Sequence, residues 1–336
     1  MISRDIDLFG LNTFGLHSRA AFFAEIADLV TLRNILSHTE FDELPKLVLG
    51  GGSNIIFEND FPGLILKSAI RSKIVIRETA DTRIVEAGAG ERWHDFVCWT
   101  LEQGWGGLEN LALIPGSVGA APVQNIGAYG MEVSDCIEAV KAFHFETKSV
   151  ITFKPDECAF GYRDSIFKCQ NGEWFILNVQ FRLPKIWNPN LSYPALAEDL
   201  KEKKPASLSP RQIAESVIRI RKKKLPDPAE KGNVGSFFKN PIIPSALFQQ
   251  LLIRFPEIPH FVQPQGFVKI PAGWFIEQIG WKGKASGPVG CHQQQALVLV
   301  NHGGATGKDV RHTAEIIRNE VERVFCLKLE YEPMFI

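Results

Sequence analysis

The segment of this chain best suited to binding an anion is a run of three glycines and two polar residues, Gly50-Gly51-Gly52-Ser53-Asn54. It lies between two apolar runs, residues 47–49 and 55–57, which are typical of strands. Because glycine has no Cβ, the backbone of this glycine turn (residues 50–54) can point several N–H groups at one phosphate. A tight hairpin turn is the alternative, although one or two glycines normally suffice for it. The residues of the turn leave both interpretations open.

A second glycine-rich region, residues 114–130, reads IPGSVGAAPVQNIGAYG. This small-residue loop cannot build a bulky core, and its backbone can lie flat against a ligand and offer N–H and C=O groups. A loose surface loop is the alternative, but such loops are usually less apolar. Together, the glycine turn and the small-residue loop indicate one extended ligand with a diphosphate and a planar ring.

Three polar side chains have contexts that suit chemistry. Arg163 lies in a compact polar turn, and a fixed guanidinium suits a carboxylate, although a surface pair with Asp164 is the commoner arrangement. Ser236 lies between a glycine segment and two aromatic residues, where its hydroxyl could transfer a proton or merely cap a strand. Glu332 lies among apolar residues that would raise its pKa, unless it belongs to an exposed tail.

The apolar pattern predicts an α+β protein whose elements position these residues. A broadly helical pattern covers residues 19–36, and further helices are expected at 93–103 and 310–325. Ser209, Pro210 and Gln212 are typical of a helix start, and this helix would end in the basic run 221–224. Strands are expected at residues 46–49, 64–66, 74–76, 83–86, 139–145, 150–153 and 174–183.

Composition excludes several functional classes. The chain has 336 residues, 45% hydrophobic and 22% charged, with a net charge of -1, which argues against a nucleic-acid-binding protein. No apolar run is long enough for a membrane span, and the charged N-terminus is unlike a signal peptide. The 6 cysteines are dispersed, so free thiols in a reducing cytoplasm are expected. No metal-binding motif, complete dinucleotide fingerprint or P-loop is present, and residues 303–309 only imitate a P-loop.

Six segments, in order, resemble the UDP-N-acetylenolpyruvoylglucosamine reductase (MurB) family, and specifically its type I branch. They are the glycine turn from Leu49, the small-residue loop, Gly161–Ser165, Lys224–Pro228, Gly235–Asn240 and Gln294–Asn301. The resemblance implies an FAD-binding domain of the vanillyl-alcohol oxidase / p-cresol methylhydroxylase type plus a C-terminal α/β substrate-binding domain. The expected limits are 1–70 and 71–208 for two FAD-binding subdomains and 209–336 for the substrate domain, whose tail 326–336 returns to the active site.

The resemblance also implies a reaction and its catalytic residues. Reduced FAD, regenerated by NADPH, would transfer hydride to the enolpyruvyl group of UDP-N-acetylglucosamine enolpyruvate and give UDP-N-acetylmuramate for peptidoglycan. Arg163 and Glu332 would stabilise the enolate-like charge, and Ser236 would donate the proton. A monomer in the cytoplasm, with no nucleic acid, membrane or metal partner, is expected.

Further residues are carried over from the family as ligand contacts. Those expected to bind the substrate are Tyr193, Lys224, Asn240 and Gln295. Those expected to bind FAD are Gly50, Gly51, Gly52, Ser53, Asn54, Gly116, Ser117, Gly119, Ala120, Asn125, Gly127, Ala128 and Tyr129.

The tail departs from the family pattern, which usually reads Leu-x-Pro-Glu. Here Leu329-Glu330-Tyr331-Glu332 precedes Pro333, so Glu330 and Glu332 are both candidates, with the register favouring Glu332. Another flavin oxidoreductase of the same fold, acting on an alcohol or sugar, is the alternative function. A nucleotide-sugar binding protein without catalysis is a third, which the presence of all three polar residues disfavours.

Overall fold

The computed structural model describes residues 1–336, which form both α-helices and β-strands along the whole chain. The helices are α1 (Leu29–Ile35), α2 (Trp93–Glu102), α3 (Ile166–Cys169), α4 (Pro194–Asp199), α5 (Pro210–Lys224), α6 (Ser245–Arg254), α7 (Ala272–Gln278) and α8 (Gly307–Phe325). The strands are β1 (Ile2–Asp7), β2 (Arg19–Ile26), β3 (Lys46–Leu49), β4 (Ile55–Ile56), β5 (Phe61–Ser68), β6 (Lys73–Glu78), β7 (Thr82–Gly88), β8 (Gly127–Ala128), β9 (Met131–Glu132), β10 (Ile137–His144), β11 (Val150–Phe153), β12 (Trp174–Pro184), β13 (Asn233–Ser236), β14 (Ile242–Pro244), β15 (Phe261–Gln263), β16 (Phe267–Lys269), β17 (Ala285–Ser286), β18 (Val289–Cys291), β19 (Val298–Asn301) and β20 (Met334–Phe335). No helix combines the length and the apolar character that crossing a membrane requires.

The chain forms two compact units that interleave along the sequence. Unit 1 contains residues 1–6, 19–52 and 61–223, and unit 2 contains 7–18, 53–60 and 224–336. The glycine turn therefore begins in unit 1 and ends in unit 2. The domain limits expected from the sequence remain a prediction, since these units are defined by contacts.

Unit 1 contains two large sheets, with a core on each side of the second, and the short two-stranded sheet β8-β9. The first sheet has the strand order β1-β2-β5-β3, and the second has the order β11-β10-β12-β7-β6. One core lies between them and joins Leu64 and Leu66 of β5 to Phe143 and Phe175 of the second sheet. On the opposite face of the second sheet, β10, β12, α2 and α5 share the other core.

Residues 19–26 form a strand, so the helical pattern expected across 19–36 is wrong for its first half. Strand β2 pairs in parallel with β5, which is itself buried, and this pairing overrides the local pattern. The helix is confined to α1, where the Asp28 carboxylate accepts a hydrogen bond from the N–H of Thr31 at 2.6 Å.

The helix start predicted at Ser209 is confirmed. Ser209 and Gln212 exchange hydrogen bonds at the first turn of α5, with Ser209 N–H donating to Gln212 Oε1 at 3.0 Å. Residues 303–309, which imitate a P-loop in sequence, also form a helix start. Thr306 caps α8, and the Asp309 carboxylate accepts a hydrogen bond from the N–H of Thr306 at 2.8 Å. These residues begin a helix and leave no phosphate loop there.

Unit 2 is built around the long helix α8. Its residues Val310, Ala314, Ile317 and Val321 are fully buried and recur at helical spacing, so α8 presents one apolar stripe to the core. The stripe packs into a cluster that also includes residues of α7, β18 and β19. The sheet order here is β13-β19-β18-β17, and the tail strand β20 pairs in parallel with β4.

Candidate active site

The glycine turn is not a hairpin. Strand β3 before it pairs with β5, whereas β4 after it pairs with β20, so the two flanking strands belong to different sheets. A hairpin would pair its two flanking strands with each other. The hairpin interpretation is therefore wrong, and the three glycines need another structural explanation.

The glycines allow the backbone of the turn to approach the small-residue loop closely within unit 1. A Cβ built on Gly51 would lie 2.7 Å from the Cα of Gly116, and one on Gly50 would lie 2.7 Å from the Ser117 hydroxyl oxygen. Neither distance can accommodate a side chain, so only glycine lets the two backbones meet. The two segments that the sequence assigned to one ligand are thus in contact.

Ser117 provides a test of whether these residues suit a diphosphate-bearing cofactor. Its hydroxyl oxygen is buried and has no hydrogen-bond partner in the protein. A buried hydroxyl without a partner is unfavourable, and a phosphate oxygen would supply the missing acceptor. The turn and the loop therefore fit FAD at this position.

Arg163 lies against the small-residue loop. Its guanidinium Nη2 donates to the carbonyl of Gly127 at 2.9 Å, and its own carbonyl accepts from Lys168 Nζ at 3.0 Å. The backbone of Arg163 is in the left-handed region, with φ of 56°, as a compact turn requires. This contact places the cation beside the residues assigned to the flavin ring.

The side chain of Asn125 joins the small-residue loop to the compact turn that carries Arg163. Its Nδ2 donates to Glu132 at 2.8 Å and to the Gly161 carbonyl at 3.1 Å, while its Oδ1 accepts from the N–H of Ser134 at 3.1 Å. Asn125 is fully buried, so these bonds occupy both ends of its amide. Its side chain positions the loop.

Tyr193 also reaches the small-residue loop. It precedes α4, and its ring lies 5.0 Å from the ring of Tyr129 in an edge-on arrangement. Burial raises the pKa of Tyr129 to about 12, so its hydroxyl stays protonated at neutral pH.

In unit 2, a backbone hydrogen bond joins the tail at Glu332 to the residue that follows Ser236. The N–H of Glu332 donates to the carbonyl of Phe237, the residue after Ser236, at 3.0 Å. On its other side, Phe237 N–H donates to the Leu297 carbonyl at 2.8 Å. Ser236 is the last residue of β13, so the capped strand start considered from the sequence is wrong.

Asn54, the last residue of the glycine turn, joins this group. Its Nδ2 donates to the carbonyl of Glu332 at 3.2 Å, and its own carbonyl accepts from Met334 N–H at 3.0 Å. The tail carrying Glu332 is therefore anchored at both sides. Glu330, in contrast, is exposed and pairs with Lys239 at 3.1 Å.

Two arginines of α8 pack against the aromatic residues of the tail. The guanidinium of Arg311 lies 3.7 Å from the centre of the Phe335 ring, and that of Arg318 lies 4.8 Å from the centre of Tyr331. Arg311 also bonds Glu58 through Nε at 2.6 Å. Glu332 therefore directly follows Tyr331, whose ring is fixed by this packing.

The other residues predicted to bind the substrate lie in two separate regions of the fold. Asn240 Oδ1 accepts from Ala272 N–H at 2.9 Å, and Gln295 Oε1 lies beside Gly273, 3.2 Å from where a Cβ would stand. Both amides thus meet at the start of α7. Lys224 is exposed at the last position of α5.

Unit 1 therefore assembles the glycines, the small-residue loop, Arg163 and Tyr193, whereas unit 2 assembles Ser236, Glu332, Asn54, Asn240 and Gln295. Sequence reasoning missed the arginines of α8 and the buried turn at Glu109 and Asn110. The basic residues of α8 have no distinguishing spacing. Buried Glu109 and Asn110 would have been detectable only as polar residues inside an apolar stretch, residues 108–114.

Comparison with known proteins identifies both parts of the chain. Residues 20–151 match the FAD binding domain family, and residues 227–336 match the UDP-N-acetylenolpyruvoylglucosamine reductase C-terminal domain. The reductase of Azoarcus sp. strain BH72 is 50% identical, with 100% of this chain and 98% of that protein covered. The reductase of Dechloromonas aromatica is 49% identical, with 99% of each covered.

The chain belongs to the UDP-N-acetylenolpyruvoylglucosamine reductase family. The crystal structure of the reductase from Thermus caldophilus shares the fold, with a TM-score of 0.70 and 24% identity over 100% of this chain and 98% of that one. The predicted architecture, an FAD-binding domain followed by a distinct C-terminal domain of the reductase family, is confirmed. FAD as cofactor is confirmed as well.

Gly51→Ala tests the close approach of the two loops. The added Cβ would overlap Gly116, and overpacking of about 1–3 kcal/mol corresponds to roughly 10-fold weaker FAD binding. The measurement is FAD titration of apoprotein by fluorescence. Gly10→Ala is the matched control, because a Cβ there meets no atom within 4 Å. Equal FAD affinity in both variants would contradict the assignment.

Proposed function

We propose that this protein is an NADPH-dependent flavoenzyme that reduces the enolpyruvyl group of UDP-N-acetylglucosamine enolpyruvate to a lactyl ether. The product is UDP-N-acetylmuramate, for peptidoglycan synthesis. The observation that carries the proposal is the Glu332–Phe237 backbone hydrogen bond, which brings the tail segment that carries the acid against the strand end that carries the hydroxyl. Relatives that bear the reductase name over their whole length support the same reaction.

Bound FAD supplies a ring that takes hydride from NADPH and passes it to the terminal vinyl carbon of the substrate. The protein holds this group through the glycine turn and the small-residue loop. Gly50–Gly52, Ser53 and Asn54 would bind the diphosphate, and the backbone of residues 116–120 and 127–129 would lie against the ring. Ser117 gains an acceptor for its orphaned hydroxyl in this arrangement.

Arg163 would bind the carboxylate of the enolpyruvyl group. Hydride addition at the vinyl carbon moves negative charge toward that carboxylate and gives an enolate-like intermediate. A guanidinium fixed in advance stabilises the charge without having to reorganise. The hydrogen bond from Arg163 to Gly127 holds the cation in place for this role.

Ser236 and Glu332 would complete the addition. Ser236 donates its hydroxyl proton to the carbon that bears the carboxylate, so that one hydride and one proton are added across the double bond. Glu332, in its protonated form or through a shared proton, would stabilise the enolate. The hydrogen bond from Asn54 to the Glu332 carbonyl anchors the tail that carries this acid.

Four residues would hold the nucleotide sugar. Tyr193 and Lys224 bind its diphosphate, and Asn240 and Gln295 make further polar contacts near the start of α7. We also propose that the enzyme acts as a monomer in the cytoplasm, with no nucleic-acid partner. Its net charge of -1 supports the last point.

An anaerobic half-reaction tests the function. Protein reduced with NADPH should regain its oxidised flavin absorption when UDP-N-acetylglucosamine enolpyruvate is added. In D₂O, the product should carry solvent deuterium at the carbon next to the carboxylate, because the proton added there comes from an exchangeable hydroxyl group. UDP-N-acetylglucosamine, which lacks the enolpyruvyl group, is the control. Reoxidation by oxygen alone would favour an oxidase instead.

Two isosteric variants decide which tail acid acts. Glu332→Gln should lower kcat by about 10²–10⁴-fold, the usual contribution of a catalytic acid or oxyanion-stabilising group. Glu330→Gln should leave kcat within about twofold, because an exposed ion pair contributes little. Steady-state kinetics at saturating substrate provide the comparison. The reverse order of effects would assign the role to Glu330.

A further inference from the structure

A buried polar turn lies beneath the segment that carries Tyr193. Glu109 and Asn110 are 3% and 0% exposed, which is rare for a carboxylate and an amide. The Glu109 carboxylate accepts from the Gly107 N–H and from the Trp187 indole Nε1, each at 2.6 Å. Burial raises the pKa of Glu109, although these donors oppose the shift. The first residue of the substrate segment (residues 187–193) is thereby anchored.

Asn110 connects that segment to the small-residue loop. Its single Nδ2 group donates to the Tyr129 carbonyl at 2.8 Å and to the Asn190 carbonyl at 2.9 Å. One carbonyl belongs to the small-residue loop and the other to the substrate segment. Both protons of one buried amide are used to hold the two backbones together.

Asn190 makes a second connection between these two segments, with its own side chain in the substrate segment as the donor to the small-residue loop. Its Nδ2 donates to the Gly130 carbonyl at 2.9 Å, and its Oδ1 accepts from the N–H and hydroxyl of Ser192 at 3.1 and 2.7 Å. Ser192 packs so closely on Gly130 that a side chain at position 130 has no room. Tyr193 follows directly, with its ring against Tyr129 at 5.0 Å.

We propose that Asn110 and Asn190 are positioning residues that hold the substrate segment on the small-residue loop and so set Tyr193 over the substrate diphosphate. The inference rests on the proposed function of Tyr193. It adds that the loop facing the flavin and the segment covering the substrate form one hydrogen-bonded body. Asn190 carries this connection on a partly exposed side chain, which makes it the residue to test.

Two pairs of variants isolate this connection in the holoenzyme. Asn190→Ala removes the donor to Gly130, and Asn190→Asp also places an acceptor opposite that carbonyl. Asn188→Ala and Asn188→Asp are matched controls, because Asn188 is exposed in the same segment. Melting temperature and flavin content should be unchanged in all four.

The first readout is amide hydrogen exchange across residues 187–193, which does not depend on activity. Both Asn190 variants should exchange there about 5-fold faster than the Asn188 variants, since a lost intramolecular hydrogen bond is typically worth roughly a factor of 2–10. Equal exchange rates would overturn the connection.

The second readout is steady-state kinetics. The Asn190 variants should raise KM for UDP-N-acetylglucosamine enolpyruvate about 10-fold and leave kcat within about twofold, as expected when uniform binding is lost. Tyr193→Ala should raise KM in the same way. Faster exchange with unchanged KM would overturn the positioning role. If the Asn190 variants exchange faster but the wild-type protein does not turn over this substrate, the connection is supported and the proposed function is refuted.

Discussion

The part of unit 2 that carries Ser236 and Glu332 depends on one strip of backbone, residues 236–239, which is held from both sides. Phe237 donates to Leu297 on one side and accepts from Glu332 on the other, and Lys239 N–H donates to the Glu330 carbonyl at 2.9 Å. These pairs join residues far apart in sequence, so Ser236 and Glu332 are neighbours only when unit 2 is folded. The strip is preceded by Gly235, whose φ of 73° favours glycine.

The aromatic packing behind this strip explains why it stays in register. The ring centres of Phe237 and Tyr331 lie 6.1 Å apart, and those of Tyr331 and Phe335 lie 5.2 Å apart, so the three rings form one cluster. Arg311 and Arg318 of α8 cover it from the helix side. Burial raises the pKa of Tyr331, which keeps the phenol neutral within this packing. A slip of the tail by one residue would have to break both the ring contacts and the backbone pairs.

Local signals were enough to predict much of the fold. The strands of the second sheet, the Ser209 cap of α5 and the face of α8 that carries Ile317 and Val321 all follow from periodicity and capping chemistry. The strand at 19–26 was mistaken for helix because its pairing with β5 is non-local. The same limitation hid the approach of Gly51 to Gly116 and the bridging amide of Asn110, since contacts between distant segments leave no periodic pattern. The roles of Arg163, Ser236 and Glu332 came from family resemblance, and single-sequence chemistry alone favoured simpler alternatives for each.

The central claim is that Ser236, held beside Glu332, donates the proton and takes no part in flavin reduction. The direct measurement is anaerobic stopped-flow absorbance of Ser236→Ala in two separate half-reactions. Flavin reduction by NADPH should remain within about twofold of wild type, and flavin reoxidation by UDP-N-acetylglucosamine enolpyruvate should slow by about 10²–10⁴-fold, the contribution of a general acid. Equal loss in both half-reactions, or no loss in the second, would contradict the account.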